Sequence, residues 1–338
     1  MENNDIDLVV PYVDSSDPNW QELFNKYNPH KNEEGVDAPN RFRGNDDLFR
    51  FFFRGVEANM PWIRKIHLIV QSESQIPSWI NKDNVHIVLH KDIIPEEFLP
   101  TFNSTVIEMF LWNIDGLSEK FLYANDDFYV IKKVFPADFF MGDKVRFNFN
   151  KLPQSSCGSM YLNHTMNVVK VIDNIEPNFG FVVYHAFRPY FKSRMIACFN
   201  EHKEEILKRL TRFRDEGNTN CYLFNYYDFA KGYRMASSLK YKYCSLSNTS
   251  TCTKIIDEGN YNLVTINDNC LQDPDSTSYN KIIKSFKNKF NFVSKYEKIS
   301  EDQVPDWYLE RLHKILKNVP DELKETIKYQ LLKTYIAG

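Results

Sequence analysis

Short apolar runs, each stopped by a polar cluster, recur through the first half of the chain. Ile6 to Val13 reads as a strand, ended by the turn Asp14-Ser15-Ser16-Asp17-Pro18. Residues 66–70 and 85–90 read as the second and third strands, with a short helix at 76–80 between them. Helical spacing takes over at 18–27, which opens on Asp-Pro, at the amphipathic stretch 48–59, and at 106–113, where Ile107, Phe110 and Leu111 share a face. One run organises the rest. Phe121-Leu122-Tyr123-Ala124 is apolar, Asn125-Asp126-Asp127 interrupts it, and Phe128-Tyr129-Val130 resumes it. We read 121–125 as the central strand of a sheet, its end delivering carboxylates to a cleft.

Beyond it, strand-like pieces at 145–149 precede the aromatic segment 179–190 and a helix at 201–210 of mixed charge. The polar stretch 211–220 leads into an aromatic helix at 221–229, and 264–270 repeats the theme of a short strand ending in Asn-Asp. The tail 305–336 reads as two helices broken at Pro320. This alternation predicts an α/β fold, with a catalytic-size unit over 1–300 and a helical extension over 301–338 packed on it.

Composition adds limits. At 338 residues the chain accommodates one large α/β domain or two smaller ones. A net charge of −3 gives no global field for nucleic acid. The 27 Phe and 19 Tyr supply core and stacking surfaces for sugar or base rings. Six scattered cysteines, none in a Cys-x-x-Cys pair, read as reduced thiols. The N-terminus lacks the basic and apolar regions of a secretory signal, and no stretch approaches a bilayer span. A cytoplasmic protein is expected, with the basic amphipathic tail allowing peripheral membrane contact.

Candidate chemistry collects at element ends. Adjacent carboxylates after a strand suit a divalent cation holding a diphosphate; Asn125-Asp126-Asp127 is equally good turn chemistry. Asp14 and Asp17 follow the first strand, where nucleotide-binding α/β folds place base and ribose contacts, and Asp17 also suits a helix start. Arg43, just before the helix 48–59, is placed for an anion or for a local pair with Asp46 or Asp47. Asn103 or Ser104 caps the helix 106–113, a role compatible with phosphate binding. Arg214 precedes the aromatic helix in an anion-compatible position. His86 and His90 lie four apart on a strand-like run, without helical metal-pair geometry, and are assigned to structure. His185, among aromatics, reads either as a packed core histidine or as a general base.

These segments together resemble the Stealth family of sugar-phosphate transferases. Residues 7–18 look like its first conserved region, and the stretch from Arg41-Phe42-Arg43 to Asn125-Asp126-Asp127 is similar to the second almost throughout. Residues 184–190 resemble the third; Arg214 with its helix and Thr265-Ile266-Asn267-Asp268-Asn269 resemble later ones more loosely. The sequence departs from the family at Pro11-Tyr12-Val13-Asp14, where many members carry Thr, Trp, Val and Asn, and at Gly44, where an acid is usual. The resemblance implies a glycosyltransferase-A-like (Rossmann-like) α/β core with a mixed sheet and helical C-terminal additions. It implies transfer of a hexose-1-phosphate from a UDP-hexose or UDP-N-acetylhexosamine to a hydroxyl of an acceptor glycan, lipid-linked acceptors included. Release of UMP, Mg2+ (or Mn2+) and a place in surface or capsular polysaccharide synthesis go with it.

Carried over by residue, Asp126 and Asp127 match the acidic pair, His185 the active-site histidine and Arg214 the phosphate-facing arginine. Asp14, Asp17, Arg43, Asn103, Ser104, Asn125 and Arg188 form the expected substrate-binding set, and Asp268 joins Asp126 and Asp127 as a metal ligand. Either Asp127 or His185 serves as base. Two other readings stand beside this one: a metal-dependent glycosyltransferase releasing UDP, and a non-catalytic carbohydrate-binding protein.

Overall fold

The computed structural model describes residues 5–28, 46–151, 160–172, 180–267, 276–301 and 304–337. Its main sheet has five strands. β1 (Ile6–Pro11) lies in the middle, flanked by β2 (Ile63–Val70) and then β3 (Val85–Leu89) on one side and by β4 (Lys120–Tyr123) on the other. These four run parallel. The strand Arg188–Phe191 closes the sheet antiparallel to β4. The sheet is therefore mixed, as expected, but its middle strand is β1 and not the strand that carries the acids. Leu8, Val9 and Val10 are fully buried, as suits a strand covered on both faces. Pro189, which has no N–H to donate, is tolerated because its strand is an edge.

α1 (Pro18–Tyr27) and α2 (Asp46–Asn59) agree with the periodicity. In α2, Phe49, Phe52, Phe53 and Val56 form one buried stripe. Gly55 brings α2 against the chain beyond the acids: a Cβ there would stand 2.7 Å from the Val130 carbonyl oxygen. The pair Arg54–Glu297, with N–O distances of 2.8 and 2.9 Å, fastens the same helix to the segment 290–297.

Local expectations fail where long-range pairing decides. Residues 76–80 form no helix; Ile80 instead bridges to Glu297, recruited by a segment far along the chain. Of the helix expected at 201–210 only Lys203–Leu207 forms, and a separate helix, Lys192–Glu201, ends where it was to begin. The tail forms the helices Asp306–Leu316 and Asp321–Ala337, whose buried residues Leu312, Leu316 and Leu332 make a cluster of their own with Val304. Among the described residues, no helix is long and apolar enough to cross a membrane.

Candidate active site

Four parallel strands end in one row, and each hands a short segment to the same cavity. β1 contributes Pro11, Tyr12 and Val13, β2 contributes Gln71, β3 contributes His90, and β4 contributes Asn125, Asp126 and Asp127. The register makes this so: Val9 pairs with Tyr123, and Ala124 N–H donates to the Val9 carbonyl at 2.9 Å as the last rung of the ladder. The chain then turns, with Phe128 N–H bonded to the Asn125 carbonyl. β5 (Phe128–Val130) joins a second sheet, antiparallel to the strand Leu263–Asn267. Asp126 and Asp127 thus sit at a junction of two sheets. This is why the apolar run breaks for three residues and resumes.

The second sheet brings the partners. Asn267, at the end of its strand, donates from Nδ2 to Asp127 Oδ2 at 2.7 Å and accepts at Oδ1 from Tyr243 OH. The His185 carbonyl accepts from Tyr241 OH and Thr265 Oγ1, and its ring stands edge-on to Phe128 at 4.7 Å. His185 Nε2 comes to 3.6 Å from Asp127 Oδ2, with the imidazole partly exposed. Asp127 Oδ1 and Asn125 Oδ1 are buried and have no hydrogen-bond partner. Two orphaned oxygens in one polar turn match a hard cation's demand for oxygen ligands. Among the described residues no cage of three His, Cys, Asp or Glu side chains forms; Asp268, the expected third ligand, lies outside the described residues, as does Arg43.

Asn103 takes the capping role expected of it but does not line the cavity, where the expected substrate-binding set had placed it. It caps α3 (Ser104–Met109), accepting from Thr105 N–H at 3.1 Å, and is wholly buried away from the cavity wall. Its amide donates to the carbonyls of Thr211 and Phe213 and to Asn218 Oδ1. Helix α4 (Met160–Val171) also holds this loop, through His164 to the Asp215 carbonyl and Asn167 to those of Glu216 and Asn218. The result is a rigid mount for Arg214, whose Nη2 reaches Ser104 Oγ at 3.3 Å.

Asp17 likewise caps α1, binding Asn19 N–H, Ser74 Oγ and Gln75 Nε2, and Asp14 accepts from Ser16 N–H. Neither aspartate lines the cavity. Polar side chains flanking a helix start found backbone donors, the bland alternative for Asp17.

The cavity has two lobes. The smaller, about 260 Å³, lies over the strand ends and is walled by Trp20, Phe102 and His90; the larger, about 550 Å³, holds His185, His164 and Arg188. Ser104, Asn125, Arg214 and Asn267 border both. Sequence reasoning missed Gln71 and His90. Their signal is positional: each is the first polar side chain past a buried parallel strand. Burial holds the His90 pKa down to about 4, leaving a neutral ring whose Nδ1 has no partner, and both amide atoms of Gln71 are likewise orphaned. His86, four residues earlier, faces His67 at the opposite end of the sheet.

A model of Stealth conserved region 2 matches residues 41–148. The chain is 30% identical over 305 residues to the receptor polysaccharide phosphotransferase WefC of Streptococcus oralis, covering 78% of this chain and 91% of that one. It is 42% identical over 142 residues to the capsular polysaccharide phosphotransferase eps5J of Streptococcus thermophilus. That match takes in 41% of this chain and spans 59% of the relative's length. A galactosyltransferase, LgtC, solved with donor and acceptor sugar analogues, superposes with a TM-score of 0.38 at 12% identity, over 90% of this chain and 99% of that one.

Proposed function

Because the chain belongs to the Stealth family, we propose that it is a polysaccharide phosphotransferase that moves hexose-1-phosphate from a UDP-sugar to an acceptor glycan hydroxyl. The carrying observation is the pair of orphaned oxygens, Asn125 Oδ1 and Asp127 Oδ1, at a lobe junction bordered by Arg214 and next to His185. The acceptor O–H attacks the β-phosphorus, the bond from that phosphorus to the bridging oxygen breaks, and UMP leaves. The sugar's own C–O bond survives, so its anomeric configuration is kept.

Phosphoryl transfer depends on alignment and on neutralising charge over the phosphate oxygens. Arg214 supplies a guanidinium at the junction, mounted on a loop that two helices fasten. Asp127, Asp126 and Asn125 would hold magnesium or manganese, which supplies positive charge against the diphosphate. The His185 imidazole takes the acceptor proton, and the Asp127 carboxylate steadies the imidazolium that results. The smaller lobe, with Trp20 and Phe102 in its wall, takes the nucleoside. The protein works in the cytoplasm or at the inner face of the membrane, where UDP-sugars are made.

The test is a screen of UDP-hexoses and UDP-N-acetylhexosamines with magnesium and a glycan acceptor, counting nucleotide products. UMP in step with acceptor consumption is the expected outcome. UDP in its place would make the protein a glycosyltransferase. With no nucleotide product across the panel, a carbohydrate-binding role takes precedence.

A further inference from the structure

Arg188 is 2% exposed and lines the larger lobe but not the smaller. Its guanidinium lies over the rings of Tyr123, Tyr222 and Phe128, at 4.9, 5.5 and 5.9 Å from their centres. Among the described residues no carboxylate comes within ion-pair distance of it, and its buried Nε has no hydrogen-bond partner. The Glu108 carboxylate, which shares the lobe, is engaged by Tyr123 OH at 2.9 Å and Cys221 N–H at 3.2 Å. Aromatic faces return roughly 0.5–2 kcal/mol to a cation and satisfy none of its N–H donors. A buried cation without an anion is costly, and the planar fork of Arg fits phosphate oxygens.

We propose that the larger lobe takes an acceptor sugar that already carries a phosphoryl group, held by Arg188. This rests on the reading of the site as a sugar-phosphate transferase and names its acceptor class. Arg214 borders both lobes and suits the donor diphosphate at their junction; Arg188 borders the lobe left for the acceptor. Two sources share the chemistry. The product of the transfer is itself a sugar phosphodiester, so a chain already extended by this reaction presents one, and a lipid carrier presents a diphosphate.

The experiment is calorimetric titration of the full chain with magnesium and saturating UMP. Its three probes are methyl N-acetylglucosaminide, N-acetylglucosamine 1-(methyl phosphate), and N-acetylglucosamine linked through diphosphate to a short isoprenoid. At least one charged probe is expected to bind about tenfold or more tighter than the neutral one, the scale of one charge-assisted hydrogen bond. Arg188→Gln erases the difference and Arg188→Lys restores part of it. The tighter charged probe identifies the source.

Equal affinity for charged and neutral probes overturns the proposal. So does a preference that survives Arg188→Gln, or an Arg188→Gln variant that loses UMP affinity while keeping its acceptor preference. Should the variant melt early, the parent's preference must fall as salt is raised, and a salt-independent preference counts against the proposal. UMP binding is measured first on the same protein. UMP bound without charge preference removes this inference alone, whereas failure to bind UMP removes the reading of the site.

Discussion

At the amino-terminal end of the main sheet, Asp7 is fully buried and both its oxygens are taken. Arg64 donates to Oδ1 at 2.8 Å and to Oδ2 at 2.6 Å; the Ser118 N–H and His67 Nε2 complete Oδ2. The tautomer that satisfies His67 at both nitrogens has its Nδ1 accepting from His86 Nδ1–H at 2.8 Å. At the carboxyl end of the same strands, Gln71, His90, Asn125 and Asp127 are also buried or nearly so, yet each keeps a polar atom without a partner. Polar burial of the first kind is structure. Polar burial of the second kind is what the proposed function would put to use on a ligand, since native interiors rarely leave such atoms unsatisfied.

Substitutions at the two ends should therefore separate activity from stability. Asp127→Ala is expected to lower turnover by about a thousandfold or more, the scale of losing preorganised charge stabilisation at a phosphoryl site. Its melting temperature should fall by only a few degrees, because Oδ1 has no partner and the one hydrogen bond lost is that from Asn267 to Oδ2. Activity near the parental level would break the comparison. His185→Ala should cost roughly a hundred- to ten-thousandfold in kcat with little change in donor KM. A change in donor KM alone would move His185 from proton transfer to binding.

A smaller effect is expected at the newly found residues. His90→Phe and Gln71→Leu should weaken donor binding by about 1–2 kcal/mol, roughly five- to thirtyfold in Kd for UMP. Neither should lower the denaturant midpoint, because each removes a polar atom that was buried without a partner. Loss of stability with unchanged UMP affinity would put these two side chains on the structural side. The neutral His90 ring also predicts no change in UMP affinity between about pH 6 and 8 from this group, since its pKa lies near 4.

Asp7→Asn should leave turnover near neutral pH almost untouched and cost about 2–3 kcal/mol of stability, a buried-pair value reduced for the partly exposed Arg64. Burial alone would raise the Asp7 carboxyl, but hydrogen bonds from His67, Arg64 and the Ser118 N–H outweigh it and hold the carboxyl well below the usual range. A depressed folded pKa contributes stability that is present above the unfolded value of about 3.9 and is lost as pH falls toward the folded one. Denaturant titrations at falling pH should show the parent losing more stability below about pH 4 than Asp7→Asn does. Parallel curves would place the acid sensitivity elsewhere.

Much of the frame was legible in the chain itself. The Asp-Pro opening of α1, the phenylalanine stripe of α2 and the Asn103 cap are local, governed by residues within a turn or two. So was the acidic turn after Tyr123, and the similarity of residues 41–127 to a family pattern gave it meaning. Tertiary structure decided the rest. Which strand lies in the middle, why His90 meets the cavity while His86 meets His67, and how His185 and Asn267 come to Asp127 all depend on pairings between distant segments. A strand's pattern tells which residues are buried and not which neighbour they will face. Asn103 and Asp17 show the same limit from the other side: their residue types suited a ligand, but backbone N–H groups stood nearer.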